Sequence, residues 1–260
     1  MFFIYLTFGL TSENERDLIW DYIKSAKIEY VIAAMTIGAS ADIVRGLRWQ
    51  FLSNAIGYKS NTIISVASVF MCYTSNMAIP RSGEFVRATI LSEYNKIPIG
   101  KTFGTIAAER IIDITISLFI LILVWLLQYE VILESFFDDN FLYNIDQNLG
   151  TILIVSFLIF CILIFTISRI EKIKIFFKGI LEGFLSLINL KKKLLPFLLF
   201  SSLIWICYIL AFFVIKFSVS ELEIINNNLI FPAFVVGVFS ISLSNHGLGV
   251  YPLAISLFLL

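Results

Sequence analysis

Histidine is almost missing from this sequence: His246 is the single copy in 260 residues. The three cysteines, Cys72, Cys161 and Cys207, lie far apart inside apolar runs, with no CxxC or metal-ligand spacing. That leaves nothing from which to build a zinc site, a redox pair or a Cys–His nucleophile. Such cysteines read as small hydrophobes packed between helices. Charge is scarce as well. Charged residues make up 15% of the chain, against about 25% in an ordinary soluble domain. The 19 basic and 19 acidic residues cancel, which argues against a polyanion-binding surface and against nucleic acid as a partner. No phosphate-binding glycine loop, nucleotide fold or nucleophile–base pair is present, so no catalytic group, metal or cofactor is expected. Nor is there a long polar stretch to house a soluble domain.

What the chain does have is apolar surface. It is 59% hydrophobic with 26 phenylalanines, and its mean hydropathy is +0.92. One chain of this size has no interior large enough to hide so much, so lipid is the expected solvent. The expected fold is an all-α integral membrane protein, a polytopic helical bundle forming one transmembrane domain over residues 1–260. A spanning helix needs about 20 mostly apolar residues. Thr105–Gln128, Gly150–Ser168 and Leu194–Phe217 meet that need, and Ile28–Val44 is a less apolar candidate ending in a basic turn, Arg45-Gly46-Leu47-Arg48-Trp49. Two further apolar stretches are interrupted. Asn61–Ile79 breaks at Pro80-Arg81-Ser82-Gly83, and Leu229–Leu243 breaks at Asn245-His246-Gly247-Leu248-Gly249. Met1–Leu10 is apolar but too short to span, and it lacks the basic start and cleavage site of a signal peptide. It reads as the stub of a helix, and Leu260 falls in mid-helix, so the expectation is a chain incomplete at both ends or a naturally shortened one.

Lysine and arginine set the orientation. Residues 129–149 contain neither, but include Glu130, Glu134, Asp138, Asp139 and Asp146. Residues 169–193 carry seven basic residues, and Lys216–Asn228 only Lys216. Segment 129–149 is therefore placed outside, 169–193 in the cytoplasm and 216–228 outside. Within 169–193, Ile173, Phe176, Phe177, Ile180 and Phe184 alternate with basic positions at helical spacing, which predicts an amphipathic helix on the inner leaflet; a plain basic loop is the alternative. Working backwards, Lys96 and Lys101 lie inside. A full crossing by Asn61–Ile79 would then strand Arg45, Arg48 and Lys59 outside. A re-entrant hairpin that dips in, breaks at Pro80–Gly83 and returns through Phe85–Tyr94 removes the conflict. The second break would enter from the other face. Val69-Phe70 with Ser75-Asn76 matches Val238-Phe239 with Ser244-Asn245 at equal spacing, which admits chance or an inverted repeat. Paired interrupted segments are the best pointer in a sequence to a transport site.

Ionised side chains at the bilayer centre cost about 2.5–3.5 kcal/mol each on insertion scales, so a chain that keeps them must pair or hydrate them. Asn76 to Arg87 contains Pro80, Arg81, Gly83, Glu84 and Arg87, and the next span contains Glu109, Arg110 and Asp113. Glu84 and Arg87 are three apart and Glu109 and Asp113 four apart, so each pair shares a helical face; Arg110 would be turned aside. The expected cluster sets Arg81 and Arg87 against Glu109 and Asp113. Two readings stay open for it: a structural staple between helices, or a pair of guanidiniums that grip a phosphate bidentately, helped by the free N–H groups of a new helix start. Pro80 would end the first half-helix and Gly83 permit the tight turn. Gly247 and Gly249 would serve the second break, and Asn245 and His246 beside it are a polar gate, a proton relay or simple turn residues.

Pro80-Arg81-Ser82-Gly83-Glu84 with Arg87, then Glu109-Arg110 with Asp113, then Gly247-Leu248-Gly249-Val250, resemble the lysylphosphatidylglycerol synthase transmembrane family, the flippase-like-domain or UPF0104 proteins. Arg48-Trp49 fits the same pattern, and the likeness covers nearly the whole chain. The resemblance implies movement of a phospholipid or lipid-linked anion across a bacterial inner (plasma) membrane. Its implied partners are that lipid, the membrane, a lipid-modifying enzyme and a second copy of the chain. The soluble synthase domain of two-domain members is not in this sequence, so synthase activity does not carry over. One departure concerns the second motif, where Pro252 stands in place of the family's Glu. A non-transporting structural or partner-binding subunit is the main alternative. A membrane enzyme on lipid-linked substrates, with Glu84 or Glu109 as base, is a third reading.

Overall fold

The computed structural model describes residues 13–127, 178, 181–182, 185–190, 193–223, 225–226, 229–243, 251 and 254–255. Helix α1 covers Glu13–Ser25, α2 Ile28–Ala55, α3 Thr62–Ala78, α4 Gly83–Asn95, α5 Ile99–Leu127, α6 Leu194–Ile215 and α7 Ile230–Leu243. There is no strand among the described residues. By length and composition, Ile28–Ala55 and Leu194–Ser218 are each long and apolar enough to cross a membrane.

The side chains are sorted as a lipid solvent requires. On α5, Ile111, Ile114, Leu118, Ile122 and Leu126 stand exposed in one stripe; on α6, Leu195, Leu199, Leu203, Ile206 and Leu210 do the same. Residues three and four apart share a helical face, so each stripe is a continuous apolar wall. Arg48, Arg87 and Glu109, by contrast, are buried. In water this distribution would be costly in both directions; against hydrocarbon it is the stable one.

α2 and α6 run antiparallel. The Lys27 N–H donates to the Ser218 carbonyl at 2.8 Å at one end, and Leu52 shares a core with Phe197 and Ala108 at the other. α3 crosses α2 at Gly46, where a Cβ would fall 2.5 Å from the Val66 Cα. Glycine is there because two backbones touch.

α3 and α4 form a helix–break–helix hairpin. At its open end the Asn61 N–H donates to Asn95 Oδ1 at 2.8 Å, so chain entry and exit lie side by side. Asn61 also caps α3, its Oδ1 accepting from the N–H groups of Ile63 and Ile64. By helical rise the two arms are about 25 and 20 Å long, each short of the roughly 30 Å hydrocarbon core. The expected hairpin over Asn61–Ile79 and Phe85–Tyr94 thus has the predicted break. The turn is made differently, however. Left-handed backbone falls on Arg81 (φ 61°), not on Gly83. Gly83 instead opens α4 where a Cβ would lie 2.2 Å from the Cys72 carbonyl and 2.4 Å from Asn76 Nδ2. Its role is close approach.

A second expectation is corrected at α2, which does not end at Val44. It runs unbroken to Ala55, and Arg45 and Arg48 are buried within it and not in a cytoplasmic turn. Ion pairs with Asp113 and Glu109 neutralise them, so neither acts as a loop charge that sets orientation. The hairpin rests instead on the Asn61–Asn95 contact. The second break, Asn245 to Gly249, lies outside the described residues. So do segment 129–149, span 150–168 and most of 169–193, and with them the repeat and the amphipathic helix.

Candidate functional site

Arg48 is the hub of a buried ionic network. Its Nη1 donates to Asp113 Oδ1 at 2.7 Å and to Ser201 Oγ at 2.9 Å; Nη2 reaches Asp113 Oδ2 and Nε reaches Glu109 Oε1, both at 3.3 Å. The guanidinium also lies 5.4 Å from the Phe197 ring centroid, a cation–π contact. One turn along α2, Arg45 Nη2 stands 3.6 Å from Asp113 Oδ2, and its Nη1 donates to Tyr73 Oη at 2.6 Å. A further turn along, Asp42 Oδ1 accepts from Tyr208 Oη at 3.1 Å, and Tyr208 Oη lies 3.5 Å from Tyr73 Oη. Asp42, Arg45 and Arg48 therefore form one polar stripe at three-residue spacing.

The hairpin supplies the facing charges. Arg87 Nη1 is 2.8 Å from Glu109 Oε2, and Glu84 Oε1 is 2.6 Å from Arg110 Nη2. Arg110 Nη1 also stands 3.5 Å from Asp113. Both α4–α5 pairs bridge the same two helices one turn apart, but their surroundings differ. Glu84 and Arg110 are 36% and 34% exposed, whereas Arg87 and Glu109 are each 1% exposed. By helical rise, Glu109 and Asp113 sit about 15 and 21 Å along α5 from Ile99, well inside the helix. Among the described residues four arginines and four carboxylates make up the network, which is neutral on that count.

Several expectations are settled by this geometry. Arg87 meets Glu109, and Glu109 and Asp113 share a face, turned towards Arg48. Arg81 does not join them. It is exposed at the hairpin tip and has no ion pair among the described residues. Arg45 and Arg48 occupy the place beside Asp113 that was expected for Arg81. Arg110 is not turned aside but pairs with Glu84 and Asp113. Asn76 holds the break: its Oδ1 accepts from the Gly83 N–H at 2.7 Å, while Pro80 lies within the turn. Asn245, His246, Gly247 and Gly249 are outside the described residues. The contributions of Asp42, Arg45, Arg48, Tyr73, Ser201 and Tyr208 were missed. The three-residue stripe 42–45–48 on an otherwise apolar helix was the signal that could have found three of them.

Arg87 differs from Arg48. Arg48 is hydrogen-bonded at all three nitrogens, but Arg87 has only the 2.8 Å ion pair from Nη1 to Glu109, and its Nε and Nη2 have no acceptor among the described residues. A fully buried guanidinium with unused donors is costly unless something comes to accept from it.

The profile of the lysylphosphatidylglycerol synthase TM region matches residues 4–259. The chain belongs to that family. Among curated relatives it is 34% identical over 94 residues to the UPF0104 membrane protein MJ1595 of Methanocaldococcus jannaschii, which covers 35% of this chain and 28% of that one. It is 29% identical over 85 residues to the glycosyltransferase AglD of Haloferax volcanii, covering 32% of this chain and 14% of that one. The chain thus spans less than a third of the length of either relative. No solved structure matches.

Proposed function

We propose that this chain carries an anionic phospholipid, or a lipid-linked phosphate, between the leaflets of a bacterial plasma membrane, with segment 129–149 outside and 169–193 in the cytoplasm. The observation that carries this reading is Arg87: it is buried and paired with Glu109 through Nη1 alone, and its Nε and Nη2 have no acceptor among the described residues. A phosphodiester is the natural acceptor, since its two free oxygens match the guanidinium fork. The half-exposed Glu84–Arg110 pair lies one turn from Arg87 on the same two helices, and we assign it as the first contact for an entering headgroup. Arg110 offers the anion a cation at the rim; Arg87 offers it a deeper one. Acyl chains can stay in lipid against the exposed apolar stripes of α5 and α6 while the headgroup follows the polar seam. Arg48, with every nitrogen bonded, is the structural half of the network.

The reading assigns transport and no covalent conversion. Each oxygen of Glu109 already meets a guanidinium, Oε1 that of Arg48 and Oε2 that of Arg87. The test is reconstitution in phosphatidylcholine vesicles doped with fluorescent phosphatidylglycerol, followed by quenching of the outer leaflet. Native protein should make inner-leaflet probe accessible, and Arg87→Ala should abolish that while eluting as a folded species. Equal lipid movement by both proteins would refute the role given to Arg87. Recovery of a chemically altered lipid would favour the enzyme reading.

A further inference from the structure

Of the four carboxylates in the network, Asp42 is set apart. Glu84, Glu109 and Asp113 each have an arginine at ion-pair distance, and Asp42 among the described residues has none. It is half-buried within a helix that is long and apolar enough to cross a membrane. The groups that face it are Tyr208 from α6, Tyr73 from α3, Arg45 from its own helix and, less directly, Arg110 from α5. Arg45 is already engaged by Tyr73 and Asp113. Protonating Asp113 would forfeit contacts with three arginines; protonating Asp42 breaks no ion pair. The oxygens Asp42 Oδ1, Tyr208 Oη and Tyr73 Oη follow one another at 3.1 and 3.5 Å, and Arg45 Nη1 continues the series at 2.6 Å. Asp42 lies about 9 Å along α2 from Arg48 by helical rise.

Charge balance supplies the second half of the argument. With four guanidiniums and four carboxylates among the described residues the network is neutral, and one phosphodiester anion would leave it at minus one in a low-dielectric setting. Uncompensated charge there is expensive. One proton restores neutrality, and the carboxylate that can take it without losing an ion pair is Asp42. We infer that Asp42 is a proton-binding site coupled to the anion site at Arg87, so that one proton enters with each lipid anion bound. This rests on the lipid-anion reading above. The step is a simple protonation: the carboxylate takes H⁺ from water to form one O–H bond, the second oxygen still accepts from Tyr208, and loss of the proton to water reverses it. Linkage is reciprocal, so the proton tightens the anion and the anion tightens the proton.

Purified protein in weakly buffered detergent, titrated with short-chain phosphatidylglycerol, gives both quantities from one sample. Tryptophan fluorescence reports binding and a soluble indicator reports protons. Native protein should take up about one proton per lipid bound, with affinity rising about tenfold per unit fall in pH over the range where Asp42 titrates. Asp42→Asn, a neutral mimic of the protonated acid, should bind lipid with no proton uptake and no pH dependence over that range. Tyr208→Phe, which removes one hydrogen bond from Asp42, should keep the proton uptake and move its midpoint; this separates titration at Asp42 from general loss of the fold. Lipid binding without proton uptake in the native protein, or unchanged uptake in Asp42→Asn, overturns the inference and leaves the lipid reading standing. No lipid binding at any pH overturns both.

Discussion

Replacing Arg48 by Met is the sharpest perturbation of the ionic network, because it keeps an unbranched apolar stem and removes the whole guanidinium. Arg48 is 0% exposed and contacts Glu109, Asp113 and Ser201 from three nitrogens. After the change Glu109 keeps Arg87, and Asp113 keeps only the longer contacts to Arg45 and Arg110, at 3.6 and 3.5 Å. Breaking a buried pair by removing one partner costs about 3–5 kcal/mol, since the other charge is left unmatched. That range is roughly a hundredfold to a few thousandfold in the folding equilibrium. Equilibrium unfolding in mixed micelles, titrated with denaturing detergent and followed by tryptophan fluorescence, would measure it. The double variant Arg48→Met/Asp113→Asn removes the orphaned charge and should recover at least half of the loss. An Arg48→Met protein within about 0.5 kcal/mol of native, the range of an ordinary surface change, would refute the argument that these charges are buried and mutually matched.

Other outcomes follow from the same geometry. Arg81→Ala at the exposed hairpin tip should leave both stability and lipid movement within error of native, in a flipping assay run beside Arg87→Ala. Gly83→Ala would drive a methyl into the Cys72 carbonyl and the Asn76 amide; overpacking of this kind costs about 1–3 kcal/mol, readable as a lowered unfolding midpoint. Arg87→Lys keeps a charge but loses the planar fork, so it should retain more stability than Arg87→Ala while binding anionic lipid clearly more weakly than native, as seen by lipid titration. At the surface, the hydrogen bond from Lys101, at 3.0 Å, holds the Glu182 carboxyl below its ordinary value. A depressed acid stabilises above its unfolded pKa and loses that contribution as pH falls through the folded one. A spin-label distance across this contact should therefore be steady near neutrality and lengthen only on acidification below the usual glutamate range, or in high salt.

The sequence was most informative where the solvent dictates composition. Apolar length alone located Leu194–Ile215 and most of Ile99–Leu127, and the Pro-Arg-Ser-Gly interruption located the hairpin break. It was least informative where a charge can be either a loop residue or a buried partner. Arg45 and Arg48 look the same on paper as Lys96 and Lys101, and the positive-inside rule treats all four as cytoplasmic loop charges. What separates them is the presence of carboxylates on another helix at the same depth, a tertiary fact. Arg81 departs from expectation for the same reason: proximity in sequence to Arg87 does not imply proximity in space, because a left-handed turn carries Arg81 to the exposed tip. Tyr73 and Tyr208 were invisible for a related reason, since a tyrosine in an apolar run has no pattern to distinguish a polar bridge from ordinary packing.

Arg87 is proposed to hold a lipid phosphate inside the helical bundle. Native mass spectrometry of protein purified from membranes and released from detergent tests it most directly. Wild-type and Arg81→Ala protein should retain a bound anionic phospholipid at comparable occupancy, and Arg87→Ala should be released bare. Equal occupancy in Arg87→Ala, or loss of lipid only in Arg81→Ala, would contradict the account.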